Sequence, residues 1–555
     1  MNKKKSNVLV LGVIAVVVFG LIFGIVSITQ NWGKNKDTVD TEAARKKLDS
    51  LYAKLAVTKL TPKQDPDFQG NDENAEKIAV LPDISEYPFI VNPTTDNFLT
   101  IYSSVEKNDW MIDAANKFNQ SGAKADGQPI SVGIRAIPSS LGADFISSGK
   151  YTPDVYAPAG EIYGDMLASQ GIKTTLIEKR TAGNVTGIVI TKKKSDSLKE
   201  KTGKAVIDSV LGGKLALGYT TPLSNEDGFN FILTLLQEFD SGNPLSDSAI
   251  ESLRKFQDKI PLIAYDNDQL KAALTGGTLD AIVLNYQTYM KSSNVSDTHD
   301  FIPVGARQDN PFYEIGDLTD VKKQIASQFV SFCKNADSQK TASDKGFNGK
   351  DDYASPAAMS GGDIVRSQEV YKKEKNGSSD LTAVFVADVS GSMEGTPMLN
   401  LKASLNRAIG IIDSNTNVGL VTFSDNVNIA VPINKFDNNQ RSYFSSAVKA
   451  MSAGGNTAMF DAVVVAQKML MDAKAQNPNT KLMLFVLTDG ETNRGYGLSD
   501  IESMTRGVKI PVYTIGYNAN IEVLQELSNI NEAATMNADS DNVIYRLESL
   551  FNAQM

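Results

Sequence analysis

Histidine and cysteine are almost missing from this 555-residue chain, with one of each, and tryptophan occurs twice. The single Cys333 excludes an internal disulfide, a thiolate cluster and a zinc ribbon. The single His299 excludes every two-histidine metal site and argues against a histidine-based triad. An excess of positive charge is lacking too. Lys+Arg number 55 against 65 Asp+Glu, a net charge of −10, so no positive field draws nucleic-acid phosphate and no nucleic-acid partner is expected. G-x-S-x-G, H-E-x-x-H, P-loop and dinucleotide motifs are absent. No catalytic residue is assigned and the chain reads as a non-enzyme, with a metal-assisted hydrolase the remaining enzymatic alternative.

What is present is globular: 41% hydrophobic and 22% charged residues, at a length that exceeds one core and predicts three or four units. The one long apolar run is Val8 to Ile28, preceded by Lys3, Lys4 and Lys5. At about 1.5 Å per residue it reaches the thickness of the hydrocarbon layer. Residues 1–33 therefore predict cytoplasmic lysines and a single-pass transmembrane anchor in the cell membrane, with the bulk of the chain extracellular. The alternative is a cleaved signal segment and a secreted form. Residues 34–81 are polar and short of aromatics, with one amphipathic run at Glu42-AARKKLDSLYAKLAV, and read as a stalk or linker.

Residues 82–375 alternate short apolar strands with helices, an α/β pattern with mostly parallel sheets, and their number predicts two lobes. The strands include Phe98-Leu-Thr-Ile-Tyr102 and Pro129-Ile-Ser-Val-Gly-Ile-Arg135. Pro153-Asp-Val-Tyr-Ala-Pro158, Gly187-Ile-Val-Ile190, Lys214-LALGYTTPLSNEDGF229 and Ala273-LTGGTLDAIVLNY286 follow in order. Together they resemble the extracellular solute-binding proteins of transport systems. The resemblance implies two α/β lobes around a cleft lined by loops after strands. Its matching positions here are Ser103, Ser104, Ser139, Ser140, Thr220, Thr221, Ser224, Asn285 and Tyr286, for a small polar solute or anion. The same hydroxyls and amides are also the residue types that cap helices and turns. His299, among polar neighbours, reads as a surface-loop residue, and Cys333, in an apolar helical stretch, as core.

After the polar break Lys372-KEKNGSSD380 a last unit, 376–555, begins. Leu381 to Ala387 reads as a strand buried on both faces, running into Asp388-Val-Ser390-Gly-Ser392. In extended chain, side chains at i, i+2 and i+4 share a side, so one carboxylate and two hydroxyls converge at the strand end. Hard oxygens of this kind suit Mg²⁺, Mn²⁺ or Ca²⁺. Ser452-AGGNTAMFDAV463 puts Thr457 in a glycine-rich loop before a helix, and Lys481-LMLFVLTDGETN493 is a second buried strand ending at Asp489. Asp388, Ser390, Ser392, Thr457 and Asp489 together resemble the von Willebrand factor A-type domain and its metal-ion-dependent adhesion site. The resemblance implies a doubly wound, Rossmann-like fold. In it Ser390, Ser392 and Thr457 touch a divalent ion, Mg²⁺ first, and Asp388 and Asp489 act through water. A protein partner offers an acidic residue to the metal. Glu394 and Glu491 read as solvent-facing charges. The resulting expectation is a bacterial, membrane-anchored surface protein that binds a protein partner through metal, with the middle domain as ligand sensor or platform. The alternative is a solute-sensing component of a transport system.

Overall fold

Leu381–Asp388 is buried along its whole length, which sets it in the middle of a sheet covered on both faces. The computed structural model describes residues 41–70, 81–377, 379–490, 492–517, 521–531, 533 and 535–537. Parallel neighbours of this central strand are Asn417–Phe423 and Lys481–Thr488. Val427–Lys435 lies antiparallel beyond the first, and Val512–Gly516 and Thr535–Asn537 extend the other side. The pleat divides the core in two. Ala383, Phe385 and Ala387 face Met398, Leu401 and Leu405 of helix Thr396–Ile411, with Phe444 and Val448 of helix Asn438–Ala450. Val384 and Val386 face helices Met459–Gln476 and Leu498–Val508. This is the doubly wound arrangement expected for the last unit.

The expected stalk requires correction over residues 41–69. Helix Thr41–Tyr52 buries Ala44, Leu48 and Leu51 in the second of these cores. Val57–Lys59 then pairs in parallel with Val427–Ile429 as a seventh strand of the sheet. Asp65 is buried where this segment ends, accepting from Ser445 Oγ at 2.6 Å and Lys449 Nζ at 2.8 Å. The physical reason is the stripe at 44, 48 and 51. Three apolar positions one helical turn apart need an apolar surface, however polar the surrounding composition. The membrane span expected at Val8–Ile28 lies outside the described residues; among the described residues no helix is long and apolar enough to cross a membrane.

Between residues 41–69, a strap across the last unit's sheet, and the central strand lie two lobes with mixed rather than mostly parallel sheets. The first orders Phe89–Val91, Gln128–Ala136, Asn97–Ser103, Val155–Ala157, Phe312–Ile315 and Thr174–Glu178 side by side, the last two joining antiparallel. The second orders Leu262–Ala264, Leu217–Thr220, Ala281–Asn285, Val185–Thr191 and His299–Arg307. Helix Glu226–Phe239 closes one lobe on the other. Its Phe231 and Leu235 sit in the second lobe's core, while Phe229 and Leu233 pack against Tyr102, Leu141 and Tyr163 of the first. Helix Gly361–Glu374 adds a clamp, with Ile364 against the first lobe, Tyr371 in the second, and Glu374 paired with Arg254 at 2.6 Å. His299 is a correction. It begins a strand and is buried, with Nδ1 2.8 Å from Thr298 Oγ1 and 3.1 Å from Val295 O, and burial holds its pKa below the ordinary value. Cys333 is fully buried in helix Asp320–Cys333.

Candidate functional site

The central strand delivers Asp388 fully buried to the sheet's C-terminal edge, and its two oxygens are held from two directions. Oδ1 accepts from the Ser390 N–H at 2.7 Å, closing the turn that aims the serines, and Oδ2 accepts from Thr488 Oγ1 on the neighbouring strand. Ser390 Oγ lies 3.0 Å from Ser392 Oγ, which donates to Asp489 Oδ1 at 2.8 Å. Asp388, Ser390, Ser392 and Asp489 thus form one continuous line of oxygens across two adjacent strand ends. Burial pushes the Asp388 carboxyl above the usual carboxylate range, against the Thr488 and Ser390 donors. Burial does the same to Asp489, against Ser392.

Thr457 is brought to the same edge by its loop. Gly391 N donates to Gly455 O at 3.0 Å and Gly454 N to Val389 O at 2.9 Å, tying the two loops together. Gly455 turns through φ +85°, and a Cβ there would sit 2.4 Å from Asp425 Oδ2, so the position requires glycine. Asn493 grips Thr457 from both sides: its Oδ1 accepts from Thr457 N at 2.8 Å, and its own N–H donates to Thr457 O at 3.1 Å. Asp425, Thr488 and Asn493 were not singled out by sequence reasoning. Thr488 stands directly before Asp489, and that adjacency is the only signal that could have found it. Glu394 is exposed; Glu491 lies outside the described residues.

The donor set fits a hard dication and no soft one: two carboxylates and three hydroxyls, with no sulfur or imidazole. Among the described residues no cationic side chain pairs with Asp388 or Asp489, and no group of three or more His, Cys, Asp or Glu is placed to hold a metal. A buried carboxylate without a counter-charge is the observation a cation would answer.

Most of the residues expected in the inter-lobe cleft bond to other protein groups. Ser139 Oγ accepts from Ala159 N at 3.1 Å, and Ser140 Oγ donates to Ser224 O at 3.2 Å, across the two lobes. Thr220 Oγ1 donates to Asn225 Oδ1 at 2.8 Å, and Thr221 Oγ1 accepts from Leu223 N at 3.4 Å. Asn285 Nδ2 donates to Asp227 Oδ2 at 2.8 Å, and Tyr286 lies against Phe301. Ser103 Oγ donates weakly to Ser104 O at 3.4 Å, whereas Ser104 Oγ is buried without a partner.

Residues 383–553 match the family model of the von Willebrand factor type A domain, and residues 99–348 that of the bacterial extracellular solute-binding protein. The chain therefore carries a solute-binding-like domain followed by a C-terminal von Willebrand factor type A domain. Human collagen alpha-5(VI) chain is 27% identical over 170 residues, 30% of this chain and 6% of that protein. Inter-alpha-trypsin inhibitor heavy chain H1 of Mesocricetus auratus is 27% identical over 151 residues, 25% of this chain and 16% of that protein. This chain thus spans a small fraction of the length of both relatives. Among solved structures, the sulfate-binding protein SubI from Mycobacterium tuberculosis H37Rv is 14% identical with a TM-score of 0.34, covering 46% of this chain and 88% of that one.

Proposed function

We propose that the chain is a membrane-anchored extracellular binding protein whose C-terminal domain captures a protein partner through a bound Mg²⁺. The observation that carries this reading is the line of hard oxygens from Asp388 through Ser390 and Ser392 to Asp489 at the end of the sheet. Two carboxylates leave a dication with residual positive charge, hydroxyls add none, and a partner's carboxylate oxygen completes its shell. Ser390 and Ser392 would hold the ion with Thr457, while Asp388, oriented by Thr488, fixes the turn that presents them. Mn²⁺ and Ca²⁺ suit the same donors. Residues 1–33 supply the anchor and place the remainder outside the cell, and the middle domain takes a small polar solute as sensor or platform.

Pull-down of cell-surface extract by the full chain tests the reading. Capture is expected with Mg²⁺, lost on chelation, and lost in Ser390→Ala. A partner retained equally by chelated wild type and by Ser390→Ala would contradict it. A second reading, a solute-sensing component of a transport system, is favoured by the buried cleft oxygens that lack partners. It predicts a solute-induced rise in melting temperature that persists in chelator.

A further inference from the structure

Where the two lobes meet, the polar groups divide sharply into satisfied and unsatisfied. Asp227, second residue of helix Glu226–Phe239, is saturated. Its Oδ1 accepts from Thr186 Oγ1 at 3.0 Å and Gln308 Nε2 at 2.9 Å, and its Oδ2 from Asn285 Nδ2 at 2.8 Å and Asn285 N at 3.2 Å. Its neighbour Glu226 is only 5% exposed, yet neither carboxylate oxygen has a hydrogen bond of good geometry, with the Ser139 hydroxyl acting on it as a donor. Glu106 Oε2, Asn108 Oδ1 and Gln308 Oε1 are buried in the same condition, with Ser104 Oγ beside them. Glu106, Asn108 and Ser104 follow strand Asn97–Ser103 of the first lobe, Glu226 opens a helix of the second, and Gln308 sits on the crossing between them.

These groups share one region. A Cβ added to Gly160 would meet Glu226 Oε1 at 2.5 Å and Gln308 Cγ at 3.5 Å. Glu226 feels the charges of Glu106, Asp227 and Lys107, and Glu106 those of Asp227 and Lys107. Lys107 is fully buried and donates to Pro158 O at 3.0 Å, so the region holds one ammonium among three carboxyls. Every unpartnered carboxylate and amide atom is an oxygen, and the donors that face them are few: the Ser104 and Ser139 hydroxyls and the Lys107 ammonium. An oxyanion would add acceptors where donors are already outnumbered and would face Glu226 directly. A ligand rich in N–H groups supplies what the region lacks.

We propose that the closed cleft takes a small solute bearing an organic ammonium or guanidinium group, whose N–H donors fill the oxygens of Glu226, Glu106 and Gln308. The proposal rests on the reading that the middle domain binds a small solute, and gives that solute its chemical class. Burial pushes the Glu226 carboxyl up to about 8, opposed by the Ser139 hydroxyl, reinforced by Glu106 and Asp227, and opposed again by Lys107. With Glu226 ionised, the single Lys107 ammonium is outnumbered by carboxylates, and a cationic ligand offsets that excess. A bare metal ion suits the region less, since no group of three carboxylates or imidazoles among the described residues is gathered closely enough to hold one.

Calorimetric titration of the full chain in chelator, with putrescine, ethanolamine and arginine on one arm and sulfate, phosphate and molybdate on the other, tests this. Saturable binding of at least one ammonium or guanidinium probe is expected, weakened about tenfold or more in Glu226→Gln, because a charged hydrogen-bond acceptor becomes neutral. Glu106→Gln is expected to weaken it as well, and serves if Glu226→Gln fails to fold. Binding of an oxyanion with none of the three cationic probes overturns the assigned class while leaving a solute-binding domain in place. Binding of neither set overturns both.

Discussion

Thr488 decides how Asp388 is held, and its side chain carries a prediction of its own. Thr488→Val keeps shape but leaves Asp388 Oδ2 buried without its donor. The expected cost is about 1–3 kcal/mol in urea unfolding without metal, and Mg²⁺ affinity is expected to fall with it; Thr488→Ser should restore most of both. An unchanged midpoint would show that Oδ2 finds another donor. At this scale the sequence was informative where chemistry is local. Asp388, Ser390 and Ser392 are legible because period-two spacing in extended chain puts them on one side. Thr488 and Asn493 were not legible, because their partners come from a neighbouring strand or loop more than thirty positions away, and only sheet register brings them close. The cleft hydroxyls show the converse. Thr220 ends a strand with Thr221 directly after it, and Ser139 and Ser140 open helix Ser139–Ser147, but these short hydroxyls bond nearby backbone and side chains. Glu226, whose oxygens are left over, gave no signal against a background of ordinary surface carboxylates.

Among the elements, the strap formed by residues 41–69 departs most from a composition-based reading. Its helix is short, polar on one side and lysine-rich, so a linker reading follows from average hydropathy; the buried stripe of Ala44, Leu48 and Leu51 contradicts it. Leu48→Ala is expected to cost about 2–5 kcal/mol, as for a filled core site, measured by denaturant unfolding of the full chain. A value near zero would mean the helix does not dock in solution. Asp65 fastens the other end. Hydrogen bonds from Lys449 and then Ser445 hold its carboxyl down at about 2, below its ordinary value. A depressed folded-state pKa contributes stability above the unfolded pKa of about 4 and loses it as pH falls toward about 2. Proteolysis of the strap should therefore rise between those pH values in wild type, and Asp65→Asn should be cut more readily at neutral pH with a flatter acid response.

For the whole molecule, the consequence is that the two lobes are inserted into a sheet that takes its first strand from residues 57–59 and its remainder from 381–537. The strand starts of that sheet meet the second lobe, where Lys481 Nζ donates to Asn376 O at 3.2 Å and Tyr265 packs on the core. The oxygen-bearing loops lie at the opposite, strand-end edge. Removing residues 41–69 is therefore expected to uncover apolar surface on the second core and promote association of the chain, read by light scattering, whereas a dispensable stalk would leave it monodisperse. That layered α/β architecture was legible from alternating apolar runs; the insertion was not, because strand pairing across more than 350 positions leaves no periodic trace. The central claim concerns the ion. Titrating Mg²⁺ into the full chain by calorimetry should give saturable one-to-one binding that Ser390→Ala abolishes. An absence of heat in wild type at neutral pH, or equal binding by Ser390→Ala, would contradict it.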